Sequence, residues 1–237
     1  MLIQADAKQL EWRCLAWLAN DQVALQEIND DIDFHSKNQE TFGLPSRLIA
    51  KVYLFRTIYR GSGWSFAHDP AFISVSSSPD FWNDINDKFF RKYTGIDKCH
   101  KEWANLVASR QPIISPLGRE WLILPNPDGK LPWTVFTNYP VQGTSADLMS
   151  IARISLFRRM QSRCLKALLV STVHDSIVLD APEHEVPAVV KLLYEVFNDI
   201  KANVAKIWSV NLPCMFPCEV KVGPNLRDMK KVPYTCD

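Results

Sequence analysis

No apolar run in this 237-residue chain approaches the roughly 20 residues needed to span a bilayer, so no helical membrane anchor is expected. A charge excess is also missing: 27 Lys and Arg stand against 26 Asp and Glu, for a formal net charge of +1. That balance excludes a basic coat over the whole surface, though not a local basic face. Cysteine is sparse and scattered, at positions 14, 99, 164, 214, 218 and 236. Only Cys214 and Cys218 lie close together, and no second Cys or His pair accompanies them, so zinc is not expected. The cysteines are too few for a disulfide scaffold and read as reduced thiols of an intracellular protein. The N-terminus reaches Asp6 too early for a secretory signal. Internal repeats and low-complexity linkers are absent as well.

What is present fits a folded globular chain. Hydrophobic residues make up 47% and charged residues 22%, which excludes disorder as the main state. The length allows one large domain or two small ones, with a core that needs no staples. Leu2 to Ala5 reads as a strand running into Asp6, and Gln9 to Gln26 as one helix broken by Asn29–Asp33. A helix is expected over Phe34–Phe42, stopped by Gly43, and another from Arg47 to about Tyr59, opened by Pro45-Ser46 and ended by Gly61-Ser62-Gly63. Trp64 to Gln111 reads as mostly helical around a loop at 76–79. Turns are expected at 116–119 and 128–129, with a strand at Glu120–Leu124. A long helix is expected from about Thr144 to Arg163. Strands at Ala167–Val173 and Ile177–Asp180 flank His174-Asp175-Ser176, followed by a helix at Glu185–Trp208 and a final strand at Glu219–Val222. The order is mixed α+β with antiparallel hairpins, not a regular βαβ alternation.

Two acids stand out. Asp6 ends an apolar strand, and Asp175 sits at the tip of a hairpin between apolar strands. Together such acids suit shared divalent metals, as phosphoryl or nucleotidyl transfer requires. Taken singly, each reads as an ordinary turn or capping residue. Arg47, Lys51, Phe55 and Tyr59 recur every fourth residue and share one broad helix face. Two cations near a helix N-terminus suit a polyphosphate, and the aromatics beyond them suit a base or sugar. An ordinary helix with solvated cations and core aromatics would show the same pattern. Asn138 and Gln142 place two amides just before the long helix, where amides can read base edges or minor-groove acceptors.

Together these motifs resemble the family A DNA polymerases, the bacterial DNA polymerase I family with its phage and organellar relatives. Asp6-Ala-Lys-Gln9-Leu-Glu11-Trp-Arg13 resembles the family's first palm motif, and Asp33-Phe-His35 its Asp-x-His segment. Arg47, Lys51, Phe55 and Tyr59 match the fingers helix. Asn138-x-Pro140-x-Gln142-Gly143-Thr144-x-Ala146-Asp147 matches the palm helix, and Val173-His174-Asp175 the third motif. The tail from Leu212 to Asn225 is similar to the C-terminal strand. The motifs keep the family's order from residue 2 to about 227.

The resemblance implies a right-hand polymerase fold, an antiparallel palm sheet with helical fingers. It divides the chain into palm at 1–28, fingers at 29–112 and palm again at 113–237. It implies a DNA-directed DNA polymerase that acts in DNA replication or repair with two Mg²⁺ ions. Asp6, Asp175 and the Ala7 carbonyl would hold the metals. His35, Arg47 and Lys51 would bind the triphosphate, with Lys51 the proton donor to pyrophosphate. Phe55 and Tyr59 would form the nucleotide pocket, and Glu11 would exclude a ribose 2′-hydroxyl. Gln9, Arg13, Asn138, Gln142 and His174 would position the primer terminus and the minor groove of primer-template DNA.

Three positions depart from the family pattern. Ser176 stands where a Glu is usual, so lowered metal affinity is expected. Arg60 replaces a Gly after the fingers Tyr, so the helix end should differ locally. Thr134 replaces an Arg four residues before Asn138, which bears on mismatch sensing. Ser after His-Asp also resembles single-subunit RNA polymerases, but Gln9-x-Glu11 and Phe55 favour dNTPs. A degenerate, non-catalytic palm is the remaining rival, and the survival of both acids weighs against it. Ser176 and the compact segment between His35 and Arg47 suggest a phage-type protein of the bacterial or infected-host cytoplasm. The family's thumb and 3′–5′ exonuclease would precede the first motif, so a partner chain of a split polymerase is expected to supply them. Arg153, Arg158, Arg159, Arg163 and Lys166 form the richest basic stretch, read equally as a DNA-facing or a solvated helix face.

Overall fold

A computed structural model describes residues 1–234; Cys236, read above as a thiol, lies outside them. The chain begins with β1 (Leu2–Ala7), α1 (Leu10–Leu18), α2 (Gln22–Asn29), α3 (Phe34–Phe42), α4 (Arg47–Thr57), α5 (Gly63–Ala67), α6 (Pro79–Lys92) and α7 (Thr94–Ala108). It continues with β2 (Ile113–Ile114), β3 (Glu120–Trp121), α8 (Trp133–Ser162), β4 (Leu168–Val173) and β5 (Ser176–Asp180). The last elements are α9 (Val186–Asn198), α10 (Ile200–Trp208), β6 (Cys218–Gly223) and β7 (Lys230–Val232). No helix among the described residues is long and apolar enough to cross a membrane.

The chain forms two compact units, one of residues 1–14 and 143–237, the other of residues 15–142. The first is built on a five-stranded antiparallel sheet in the order β4-β5-β1-β6-β7. Strand alternation puts Ile3, Ala5 and Ala7 in the core, while Leu2, Gln4 and Asp6 lie on the other, half-buried face. Helix α9 packs against β1 and β6 and buries Val189, Val190, Leu193 and Val196. At one edge, β4 leaves Leu168, Val170 and Val173 exposed.

The second unit is helical, apart from the short β2–β3 pair. Helices α2 to α6 start where short polar side chains accept the first orphan N–H groups. Asp33 accepts from Ser36 N at 2.7 Å, and Ser46 accepts from Ile49 N at 3.2 Å. Tyr53, Phe66, Phe72 and Trp82 form a fully buried aromatic cluster joining α4, α5 and α6. Gly63 lets α5 approach α6 closely, since a Cβ there would lie 2.3 Å from Asn83 Oδ1 and 2.4 Å from Pro79 O.

Several sequence expectations are corrected. The helix expected over 9–26 is two helices. Asp21 caps α2 through Ala24 N and also accepts from Gly95 N and Ile96 N in the first turn of α7, so a distant helix N-terminus fixes the break. The long helix starts at Trp133 rather than Thr144 and contains Pro140. Asn138 and Gln142 therefore lie on the helix, not before it. The strand expected over 120–124 shrinks to Glu120–Trp121, paired with the unanticipated β2. The helix over 185–208 breaks at Asp199, and β7 follows the strand expected to be last. Helix α4 ends at Thr57, so Tyr59 lies in the turn beyond it.

Candidate active site

In the sheet unit, main-chain register brings the acids together. β1 pairs antiparallel with β5 so that Asp6 faces Ser176, next to Asp175. Ala7 N donates to Asp175 O at 2.9 Å, tying the end of β1 to the hairpin tip. The hairpin turns at His174, whose φ of 52° is in the left-handed region and whose side chain is exposed. Asp175 is half-buried, and its carboxylate makes no hydrogen bond or ion pair with the described residues. Ser176 is buried and donates its hydroxyl to Val173 O at 3.1 Å, closing the turn.

No group of three or more Cys, His, Asp or Glu converges as a metal site among the described residues. Two carboxylates and a nearby main-chain carbonyl still fit Mg²⁺, which keeps several waters and takes its other oxygens from substrate phosphates. On the other side of Asp6, its cross-strand neighbour Glu219 is engaged by Lys231 at 2.5 Å and Lys221 at 3.5 Å. Glu219 is held below the usual carboxylate range, first by its hydrogen bond from Lys231.

Gln9 and Glu11 follow Asp6 at the start of α1, Gln9 with a φ of 51°. Arg13, another of the expected DNA contacts, lies on the same helix. It is buried, and its guanidinium donates to Lys8 O at 3.0 Å and Met215 O at 2.9 Å, bracing α1.

In the helical unit, side-chain neighbours organise a cationic face. Arg47, Lys51 and Phe55 are exposed on α4, while Ala50, Tyr53 and Leu54 on the opposite face are buried. Arg47 donates to Asp33 at 2.6 Å. Burial alone would raise the Asp33 pKa, but the hydrogen bonds from Arg47 and Ser36 outweigh it and hold the carboxyl near about 2. His35, one turn into α3, is buried, lies 5.8 Å from the Phe55 ring, and has no partner for Nδ1. Burial, with Arg47 and Lys51 nearby, pushes it down to about 4, so it is neutral at pH 7. A neutral imidazole can still donate one N–H to a phosphate oxygen. Tyr59 is buried, and its Oη accepts from Gln142 Nε2 at 3.4 Å. Asn138 is half-buried one turn before Gln142, and Thr134 one turn before that.

Two partners of the site lie outside the expected site residues. Asp33 is one, and its place as an N-cap three residues before Ser36 is the signal the sequence carries for it. The Arg60 side chain extends from a turn with φ 61° to Asp97 and His100. Nothing local in the sequence marks that contact. In the basic stretch, Arg159 pairs with Asp199 and Arg163 with Glu195, both within 2.7 Å. Arg153 and Arg158 stay exposed beside a groove of about 360 Å³ lined by Ile154, Phe157 and Leu169.

The chain matches the model of DNA polymerase family A over residues 1–228. It is 26% identical to DNA polymerase I of Chloroflexus aurantiacus over 96% of this chain and 24% of that protein. It is 27% identical to the thermostable DNA polymerase I of Thermus aquaticus over 94% of this chain and 26% of that protein. The chain thus spans about a quarter of the length of these curated relatives. Among solved structures it is similar in fold to the POL domain of Pol1 from M. smegmatis, solved in complex with DNA primer-template and dNTP. That similarity has a TM-score of 0.77 and 19% identity, and covers 92% of this chain and 38% of that one. The antiparallel sheet with its helical unit is therefore a DNA polymerase fold, and the chain belongs to DNA polymerase family A.

Proposed function

We propose that this chain carries out template-directed DNA synthesis, transferring a nucleotidyl group from a dNTP to a primer 3′-hydroxyl. The observation that carries the reading is the meeting of Asp6 and Asp175 at one end of the sheet, tied by the Ala7 N–H bond to Asp175 O. Asp6, Asp175 and the Ala7 carbonyl would hold two Mg²⁺ ions. Bound there, the ions would supply an activated 3′-oxygen and charge neutralisation on the triphosphate.

His35, Arg47 and Lys51 take the triphosphate. As the 3′-hydroxyl gives its proton to water and its oxygen bonds to the α-phosphorus, the bond to the bridging oxygen breaks and Lys51 gives a proton to the departing pyrophosphate. Phe55 and Tyr59 form the nucleoside pocket, and Glu11 excludes a 2′-hydroxyl. Gln9, Arg13, Asn138, Gln142 and His174 serve the primer terminus and minor groove, Arg13 through its bonds to the Lys8 and Met215 carbonyls. In these terms residues 1–28 and 113–237 act as palm and 29–112 as fingers.

A second polypeptide surface, bearing the thumb and 3′–5′ exonuclease, would complete the enzyme in the cytoplasm. The apolar, unpaired edge of β4 and the Ile154–Phe157 groove support this, because an exposed apolar edge strand is a template for pairing. A fully active monomer in sedimentation would refute it.

The test of the main reading is primer extension with Mg²⁺ and dNTPs against Asp175→Asn, together with Mg²⁺ titration of both proteins. Extension and metal binding lost together in the variant support the proposal. Preference for ribonucleotides would shift it to an RNA polymerase-like enzyme. A folded protein that neither extends nor binds Mg²⁺, even with a thumb-bearing partner, would mark a structural subunit.

A further inference from the structure

We propose that Arg60 is a positioning residue for Tyr59 and so sets how tightly the pocket holds an incoming dNTP. The inference rests on the reading of Tyr59 as part of the nucleotide pocket. Arg60 has φ 61°, a conformation that side chains other than glycine adopt at a cost unless something holds them. Its guanidinium is held on three sides. Nε donates to His100 Nδ1 at 3.0 Å, Nη2 donates to Asp97 Oδ1 at 2.7 Å, and the planar group lies 3.6 Å over the Phe90 ring. Trp133, at the start of α8, lies 5.5 Å away on the aromatic side.

The partners are themselves fixed. Asp97 also accepts from Lys101, and His100 is fully buried with Nε2 unpartnered. Because Nδ1 accepts from Arg60, His100 is the neutral tautomer protonated on Nε2. The main chain at the turn is equally constrained. Tyr59 N and Gly61 N both donate to Arg56 O, at 3.1 and 2.8 Å, and Arg60 N donates to Thr57 O at 2.9 Å. With the Cα of residue 60 anchored, the direction in which Tyr59 leaves the turn is fixed too. Tyr59 Oη then meets Gln142 on α8, the helix that Arg60 reaches at Trp133. The turn alone does not require this clamp, since glycine would adopt the same φ without strain.

A purely structural staple and a positioning device predict different results. The experiment is equilibrium titration of a matched dNTP onto the full chain with Mg²⁺ and a dideoxy-terminated primer-template. The variants are Arg60→Gly and Arg60→Lys, with Lys51→Ala as the control for the triphosphate site. If Arg60→Gly holds the competent turn only about a tenth of the time, dNTP affinity falls about tenfold. Its melting temperature should fall as well, because glycine relieves the strained φ but leaves the buried His100 Nδ1 without its donor, so affinities are compared well below the melting transition. Lysine keeps the charge facing Asp97 but loses the fork to His100, so Arg60→Lys should bind at an intermediate strength. Hydrogen exchange of the Arg60 and Gly61 amides should quicken in the same order. The inference is overturned if Lys51→Ala weakens binding while Arg60→Gly binds as the unsubstituted chain does. If the unsubstituted chain binds no dNTP at all, the nucleotide-pocket reading fails and this inference fails with it.

Discussion

The two units place their functional groups by different means. In the sheet unit, Asp6 and Asp175 meet because strands pair in one register, and the Asp175 carboxylate needs no side-chain partner to be where it is. In the helical unit, His35, Arg47 and Tyr59 are placed by what they touch: Asp33, the Phe55 ring and Gln142. A register is hard to perturb with one side chain, whereas a helix face held by side chains is sensitive to its neighbours. Substituting the acids should therefore change chemistry without changing fold. Changes around the cationic face should alter affinity and stability together.

The sharpest test of that contrast is Asp175→Asn. Extension should fall about a thousandfold or more, the loss of several kcal/mol of transition-state charge stabilisation, with the melting curve unchanged. Loss of folding instead would show that the acid is structural. Lys51→Ala should lower the single-turnover rate about a hundredfold if it is the proton donor. The loss should shrink with a nucleotide whose pyrophosphate leaving group is less basic.

Acid should separate the units next. His35 and His100 are buried in the helical unit with pKa values pushed down to about 4 and about 3, first by burial in each case. In the sheet unit, His174 and His184 are exposed. A histidine depressed on folding binds more protons when unfolded, so stability is intact above the unfolded value of 6.5 and falls as pH drops toward 3. The fall for His100 alone should be about 3 kcal/mol between pH 7 and pH 4. His100→Asn should flatten that limb of a pH series of urea melts, and an unchanged slope would contradict the assignment.

Glu11→Ala should raise ribonucleotide incorporation about tenfold relative to dNTP, measured in competition, because a pocket lacking the side chain rejects a hydroxyl poorly. The smallest effect is expected for Asp33→Asn. It retains an N-cap for α3 but releases Arg47 from its charged partner, so dNTP affinity should change only a few-fold, for a pair with both side chains well exposed.

Much of this was legible because the signals are local. Asp33, Gly43 and Ser46 carry cap chemistry, and α3 and the start of α4 fall where those residues put them. The hairpin around His174-Asp175 follows from apolar runs on either side of a polar tip. The fourfold spacing of Arg47, Lys51 and Phe55 gives one exposed face because a helix turns about 100° per residue.

What could not be read was set by distant groups. The break at Asp21 depends on amides of Gly95 and Ile96, and the early start of α8 carries Pro140 inside a helix, against local preference. The burial of Arg13 depends on the Met215 carbonyl.

By itself, the sequence determined the motif order, the mixed α+β class and the residue types that could carry nucleotidyl transfer, since period, caps and spacing are short-range properties. Only the tertiary structure decided that the Ser176 hydroxyl closes a turn, that His35 is buried and neutral, and that Arg60 clamps the turn after Tyr59. Each of those outcomes depends on burial and on partners one or more elements away. Such partners come within reach only once strands pair and helices pack.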